Sequence, residues 1–182
     1  MIFEETAIGG CFVITPEPRG DERGRFARTM CRDEFARHGL STDFVQQNMS
    51  ATAQAGTVRG LHFQRPPHSE AKLIRCVRGA VFDVVVDLRN GSATYFTVVG
   101  VELSDTNVRQ IYVPRGCAHG FQTLVDDVEM SYLMSAPHAP ECEGGLRSDD
   151  PALAIEWPLE VTRVSGRDTT FPLIDTDHLP RL

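Results

Sequence analysis

The sequence predicts an all-β fold of sandwich or barrel type, closest to a jelly roll. Three observations predict it: many short strand-like runs, turn chemistry between them, and very little helical periodicity. The runs are rich in Val, Ile, Phe and Thr: "KLIRCV" (72–77), "AVFDVVVDL" (80–88), "TYFTVVGVEL" (94–103), "RQIYVP" (109–114), "GFQTLV" (120–125) and "VEMSYLM" (128–134). Between them stand "RG", "RNGSA", "SDTN", "PRG" and "DD", residues that favour turns. In the run 80–88, Val81, Asp83, Val85 and Asp87 share one face, and Phe82, Val84, Val86 and Leu88 the other. Asp83 and Asp87 therefore face either a polar cavity or solvent, and solvent is the commoner case. The one helical candidate is "CRDEFARHGL" (31–40), with Phe35 and Leu40 on an apolar side and Gly39 as the stop.

The length of 182 residues suits a single domain, and 41% hydrophobic with 24% charged residues is the composition of a soluble globular chain. A net charge of −7 argues against nucleic acid and anionic membrane as partners. "MIFEETAIGG" carries acids where a signal peptide needs basic residues, and no apolar run approaches the length of a membrane span. Cys11, Cys31, Cys76, Cys117 and Cys142 are odd in number and lack CxxC spacing, as expected of reduced thiols in a cytoplasmic protein. Cys117, near a histidine, is a conceivable nucleophile; a small packed residue is the weightier reading. From Pro137 the chain becomes dense in Pro, Gly and acids, yet holds the apolar "ALAIEWPL". This segment is expected to wrap the β core as ordered loop and to offer polar residues that close over a site. The expected organisation is one domain over 1–182: an N-terminal arm with dimerisation strands (1–50), a jelly-roll core (51–136) and a C-terminal wrap (137–182).

Two of the six histidines sit at Gly-bracketed strand ends, His62 in "VRGLHFQ" and His119 in "PRGCAHGFQ". A single strand histidine is more often structural than catalytic. "PRGCAH", however, has the P-x-G-x-x-H spacing of the second cupin motif, and a cupin jelly roll turns such residues into its barrel. The H-x-H pair by which many cupins hold a metal is absent, since the matching stretch reads His62-Phe63-Gln64, and Lys72 stands where an acidic ligand would be expected. Two neutral imidazoles beside an ammonium make a poor transition-metal site, so the cavity is read as metal-free and cofactor-free. In a strict pleat Arg59 and His62 point to opposite faces; Gly60 between them allows a bulge that turns both toward one ligand.

The chain resembles the dTDP-4-dehydrorhamnose 3,5-epimerase family of cupin-type nucleotide-sugar epimerases. The resemblance runs through "DERGRF" (21–26), "QQNMS" (46–50), "VRGLHFQ" (58–64), "AKLIRCVRGAVFDVVVDLR" (71–89), "IYVPRGCAHGFQTL" (111–124), "SYLM" (131–134), "ECEGGLRSDDP" (141–151) and "VSGRD" (164–168). It implies an isomerase with a cupin jelly-roll barrel, short peripheral helices and a C-terminal wrap. The implied reaction inverts C3 and C5 of dTDP-4-dehydro-6-deoxy-D-glucose by acid–base proton transfer through an enolate. By the same resemblance His62 is the general base, Asp168 the carboxylate that orients it, Lys72 the cation near the enolate oxygen, and Tyr132 the acid on the far face. Taken alone, Tyr132 reads as a strand tyrosine, Lys72 as a solvated charge and Asp168 as a turn residue. Arg23 and Arg59 match diphosphate contacts, as planar guanidinium groups suit phosphate oxygens. Gln46, Asn48, His119, Glu143 and Arg167 match further substrate contacts. The resemblance also implies a homodimer in which the N-terminal arm is exchanged between subunits.

The match departs from the family at Arg28, where a glutamate that helps hold the thymine is usual. It departs again at His138, in place of a tyrosine flanking the base, and at Ser148, in place of a tryptophan. Arg28 and His138 thus become candidate nucleobase contacts of altered character. Three rival readings remain open at this level. One is an epimerase acting at a single centre, or on a CDP- or otherwise-linked 4-keto sugar; another is a non-catalytic sugar-nucleotide-binding cupin; the third is a metal-dependent cupin oxygenase or isomerase.

Overall fold

The computed structural model describes residues 1–182. In chain order its strands are β1 (Ile2–Glu5), β2 (Phe12–Thr15), β3 (Arg19–Asp21), β4 (Gly24–Phe26), β5 (Gln46–Thr52), β6 (Val58–Gln64), β7 (Lys72–Arg78), β8 (Ala80–Asp87), β9 (Val98–Ser104), β10 (Gln110–Val113), β11 (Cys117–Thr123), β12 (Val128–Met134) and β13 (Glu143–Gly145). One helix, α1 (Arg32–Arg37), and two single 3₁₀ turns complete the regular structure. A six-stranded sheet runs in the order β1-β2-β10-β7-β12-β5 and faces a five-stranded sheet in the order β13-β6-β11-β8-β9. Every pairing within the sheets is antiparallel. This is the jelly-roll barrel that the strand pattern predicts. No helix is long and apolar enough to cross a membrane.

Three apolar layers hold the sheets, and strand periodicity assigns the residues to them. Between the sheets, Ile74, Cys76, Ile111, Val113 and Met130 of one wall meet Val81, Val85, Leu103, Cys117 and Phe121 of the other. On the outer face of the five-stranded sheet, Leu61, Phe63, Val84, Val86 and Leu88 are covered by Leu146 and Leu153, with Trp157, Ile174 and Leu182 packed around them. Residues of the segment after Pro137 thus cover that face. Outside the six-stranded sheet, Phe12, Ile14, Leu73 and Tyr112 lie under Phe35 and Leu40. The helix is shorter than its sequence pattern, and Gly39 at φ +70° ends the segment that turns Leu40 back onto the sheet.

Strands β1 and β2 form one edge of the six-stranded wall and β5 the other. The β3–β4 hairpin between them is exposed along its whole length, and Phe26 is 77% exposed.

Two expectations are corrected. Asp83 and Asp87 do not face solvent, for both are fully buried. Asp83 meets His119 on the inner side, while Asp87 gathers Arg89, Ser92 and Thr94. The run beginning at Thr94 becomes a strand only at Val98, because Thr94–Thr97 forms a turn anchored on Asp87. The Phe96 N–H donates to the Asp87 carbonyl and the Thr94 hydroxyl to its carboxylate, both at 2.7 Å.

Burial pushes the Asp87 carboxyl up, and the Arg89 guanidinium with the Ser92 and Thr94 hydroxyls more than reverses this, holding it below the usual carboxylate range. A carboxyl lowered on folding contributes stability above its unfolded pKa of about 4, and that stability is lost as pH falls through the lower folded value. Asp87→Asn is therefore expected to cost roughly 3 kcal/mol at neutral pH, with the gap to wild type shrinking below about pH 4. Urea titrations across pH measure this, and a gap that widens in acid would contradict it. Burial also raises the thiols of Cys11 and Cys117 to about 12 and that of Cys76 to about 11, while Cys31 and Cys142 are half-exposed. A native-state thiol titration at mild alkaline pH should show two fast thiols, and alkylation mapping should place them at Cys31 and Cys142.

Candidate active site

Where the apolar layer between the sheets stops, the inner faces enclose a cavity of about 500 Å³. The β6–β11 crossing shapes one wall. His119 pairs with His62 and Phe121 with Arg59, so β6 carries one residue more than its partner over this interval. The extra residue is a bulge at Gly60, whose φ is +109°. A Cβ on Gly60 would lie 2.7 Å from the Gly120 Cα, and one on Gly120 would lie 2.7 Å from the Arg59 carbonyl oxygen. Only glycine fits at either position. Through this bulge Arg59 and His62 both line the cavity, the geometry that Gly60 suggests in the sequence.

The His62 ring contacts a carboxylate from far along the chain. Its Nε2 lies 2.7 Å from Asp168 Oδ1, and the other carboxylate oxygen accepts the Gly60 N–H at 3.3 Å. Asp168 opens a 3₁₀ turn in the segment after Pro137; its own N–H donates to Ser165 Oγ. That segment is pinned here by the Val58 N–H, which donates to the Arg163 carbonyl at 2.8 Å. A second imidazole–carboxylate pair, His119 Nε2 to Asp83 Oδ2 at 2.9 Å, is buried deeper in the same wall. Burial raises the Asp83 carboxyl above its ordinary value, with His119 and Lys72 drawing it back down.

The opposing wall belongs to the six-stranded sheet. Tyr132 on β12 lines the cavity, and its hydroxyl is 2.8 Å from that of Ser50 on β5. Burial holds this phenol well above its usual value, against the Ser50 hydrogen bond. The Lys72 ammonium on β7 reaches the His62 carbonyl at 3.3 Å and the Glu70 carboxylate at 3.2 Å, with both side chains almost fully buried. Glu70 also accepts from the Gln64 amide. A buried ammonium so placed is paired rather than solvated.

The structure thus brings His62, Lys72, Asn48, Arg59, His119, Tyr132, Arg167 and Asp168 to one cavity. Gln46, His138 and Glu143 line a smaller adjoining recess of about 200 Å³, which shares Asn48, His62 and Lys72 with it. There Glu143 is 2.7 Å from Arg167 and 3.4 Å from the His138 ring. Arg23 and Arg28 line neither space. Arg23 is on the exposed hairpin, paired with Asp21, and Arg28 is 3.1 Å from Glu34. Ser148 is buried, and its carbonyl accepts the Trp157 indole N–H at 2.9 Å. Cys117 lies in the apolar layer between the sheets, the packed residue that the sequence favours.

Sequence reasoning missed Ser50, Phe121, Met134, Arg163 and Ser165 as cavity residues. Strand parity holds the signal for three of them, as Ser50, Phe121 and Met134 each stand two residues from Asn48, His119 or Tyr132. Arg163 makes an isolated bridge to Thr57 and Ser165 lies in coil, and no periodicity marks either.

The family model described as dTDP-4-dehydrorhamnose 3,5-epimerase matches residues 5–176. The dTDP-4-dehydrorhamnose 3,5-epimerase of Sinorhizobium fredii is 46% identical over 173 residues, 94% of this chain and 89% of that protein. The dTDP-4-dehydrorhamnose 3-epimerase of Streptomyces niveus is 44% identical over 169 residues, 92% of this chain and 81% of that protein. The crystal structure of the dTDP-6-deoxy-D-glucose-3,5-epimerase of Legionella pneumophila Philadelphia 1, in complex with dTDP-4-keto-L-rhamnose, superposes with a TM-score of 0.90. It is 39% identical, and the alignment covers all of this chain and 98% of that one. With a matching family model over nearly its whole length and a cupin-like barrel to carry it, the chain belongs to the dTDP-4-dehydrorhamnose 3,5-epimerases, a family of isomerases.

Proposed function

We propose that the cavity binds dTDP-4-dehydro-6-deoxy-D-glucose and inverts C3 and C5 to give dTDP-4-dehydro-L-rhamnose. The observation that carries this reading is the placement of His62 and Tyr132. They project from different sheets into one cavity, the first held by Asp168 and the second kept protonated by burial. Epimerisation beside a ketone needs that arrangement: a base on one face of the ring and an acid on the other.

In the proposed reaction the His62 imidazole takes the proton from a carbon flanking the C4 ketone. Asp168 fixes the ring orientation and stabilises the imidazolium that forms. The electron pair moves onto the ketone oxygen, and the Lys72 ammonium supports the enolate there. Tyr132 then returns a proton to the opposite face and recovers its own from solvent, to which the His62 imidazolium releases the proton it took. Two such cycles invert two centres, and each proton transferred has a side-chain donor or acceptor in the cavity, so no cofactor is invoked. Arg59 and Arg167 supply positive charge for the diphosphate, with Asn48, His119, Gln46 and Glu143 as polar sugar and nucleotide contacts. His138 at the adjoining recess and Arg28 are the proposed nucleobase contacts.

The same reading makes the protein a cytoplasmic homodimer in which the β3–β4 hairpin and the residues that follow it deliver Arg23 and Arg28 to the partner's cavity. Exposure of Phe26 at 77% and of Met49, on edge strand β5, at 70% supports an apolar interface at these elements.

In deuterium oxide, His62→Ala should reduce label uptake at C3 and C5 by on the order of 10²-fold or more. Tyr132→Phe should retain measurable exchange while lowering the yield of inverted sugar. NMR of the 4-keto sugar reads both, and robust exchange in His62→Ala would remove His62 from the role of base. By sedimentation the wild type should have twice the chain mass and Phe26→Asp should shift toward the single chain. A monomeric wild type would dismiss the exchanged hairpin.

A further inference from the structure

Away from the cavity, the side chains of His68, Glu141 and Cys142 converge until their ligand atoms all lie within 4.8 Å of one another. We propose that this trio binds a soft divalent cation of the zinc class, with a fourth position left to water. Imidazole, carboxylate and thiolate form a mixed N, O, S donor set. That set suits zinc or cobalt and disfavours magnesium and calcium, which take oxygen ligands throughout. With metal–ligand bonds of about 2.0–2.3 Å, tetrahedral donors stand roughly 3–4 Å apart, so small rotamer adjustments close the site.

The backbone already holds the two contributing segments in place. The His68 N–H donates to the Arg65 carbonyl at 3.0 Å, and the Gln64 amide donates to the His68 carbonyl at 2.9 Å. From the other side, the Arg65 N–H donates to the Cys142 carbonyl at 2.8 Å, and the Cys142 N–H to that of Ala139 at 2.9 Å. A site whose main chain is ordered before the ion arrives loses little freedom on binding. None of the three side chains is committed to another hydrogen bond or ion pair. The guanidinium groups bonded to these segments are turned elsewhere, Arg65 to the Glu143 carbonyl and the Phe63 ring, and Arg115 to the Ser69 carbonyl. A carboxylate and a thiolate together offset the charge of the ion.

The three residues line neither the cavity nor its adjoining recess, so the site is separate from the proposed chemistry. Its neighbours are not. His62 and Gln64 end the strand before one segment, and Glu143 follows the other directly. A bound ion would staple the 65–68 turn to residues 139–142 and stiffen the rim beside Glu143.

Titration of untagged protein with cobalt(II) tests the proposal. One equivalent should bind with cobalt–thiolate charge-transfer absorption and be displaced by zinc. Cys142→Ser should abolish that absorption, Cys31→Ser should leave it unchanged, and His68→Ala should weaken binding roughly tenfold or more. Absence of the thiolate band in wild type, its survival in Cys142→Ser, or affinity indifferent to His68 would overturn the site.

Discussion

Two strands of the five-stranded wall cross so closely at Gly60 and Gly120 that neither position has room for a Cβ. The polar half of the barrel interior depends on that contact. The bulge it accommodates turns Arg59 inward while leaving His62 opposite His119, so three basic side chains face one space from adjacent strands. It also presents the Gly60 N–H to the Asp168 carboxylate, so the distortion of β6 helps hold the group that orients its own histidine.

A barrel interior lined with charge needs an account of its stability. Here the ionisable groups come in pairs: half-exposed His62 with buried Asp168, and, fully inside, His119 with Asp83 and Lys72 with Glu70. Each partner lowers the cost of burying the other, and the Tyr132 hydroxyl has Ser50. The apolar layer fills the remainder of the interior and the two outer layers cover the sheets, so the pairs sit in a frame stabilised by other contacts. Asp83 Oδ1 alone is buried without a partner, consistent with a carboxyl pushed toward its protonated form.

Much of this frame was legible in the chain because strand periodicity is a local property. The runs at 72–77, 80–88 and 128–134 became strands with nearly their expected bounds. Asp83 and Asp87 were misjudged because alternation assigns a residue to a face without saying what covers that face. The turn at Thr94–Thr97 was missed for a related reason, since its cause is a carboxylate on another strand. Within the cavity, Gly60 announced the bulge and parity could have found Ser50. Nothing in the spacing of Asp168 tied it to His62, and only family resemblance placed it there. The trio at His68, Glu141 and Cys142 was equally hidden, since two segments more than seventy residues apart in sequence assemble it.

The imidazole–carboxylate pair also has a direction in time. His62 and Asp168 are 106 positions apart, and the carboxylate is synthesised after every strand of the barrel. Strands β5 to β12 can form their ladders while the ribosome still holds the remainder. The outer face of the five-stranded sheet stays bare over that interval, because Leu146, Leu153 and Trp157 have yet to arrive. Covering the face and presenting Asp168 to His62 are tasks of one segment. A nascent chain therefore covers that hydrophobic face and completes its polar centre with one and the same stretch, after its strands have been made.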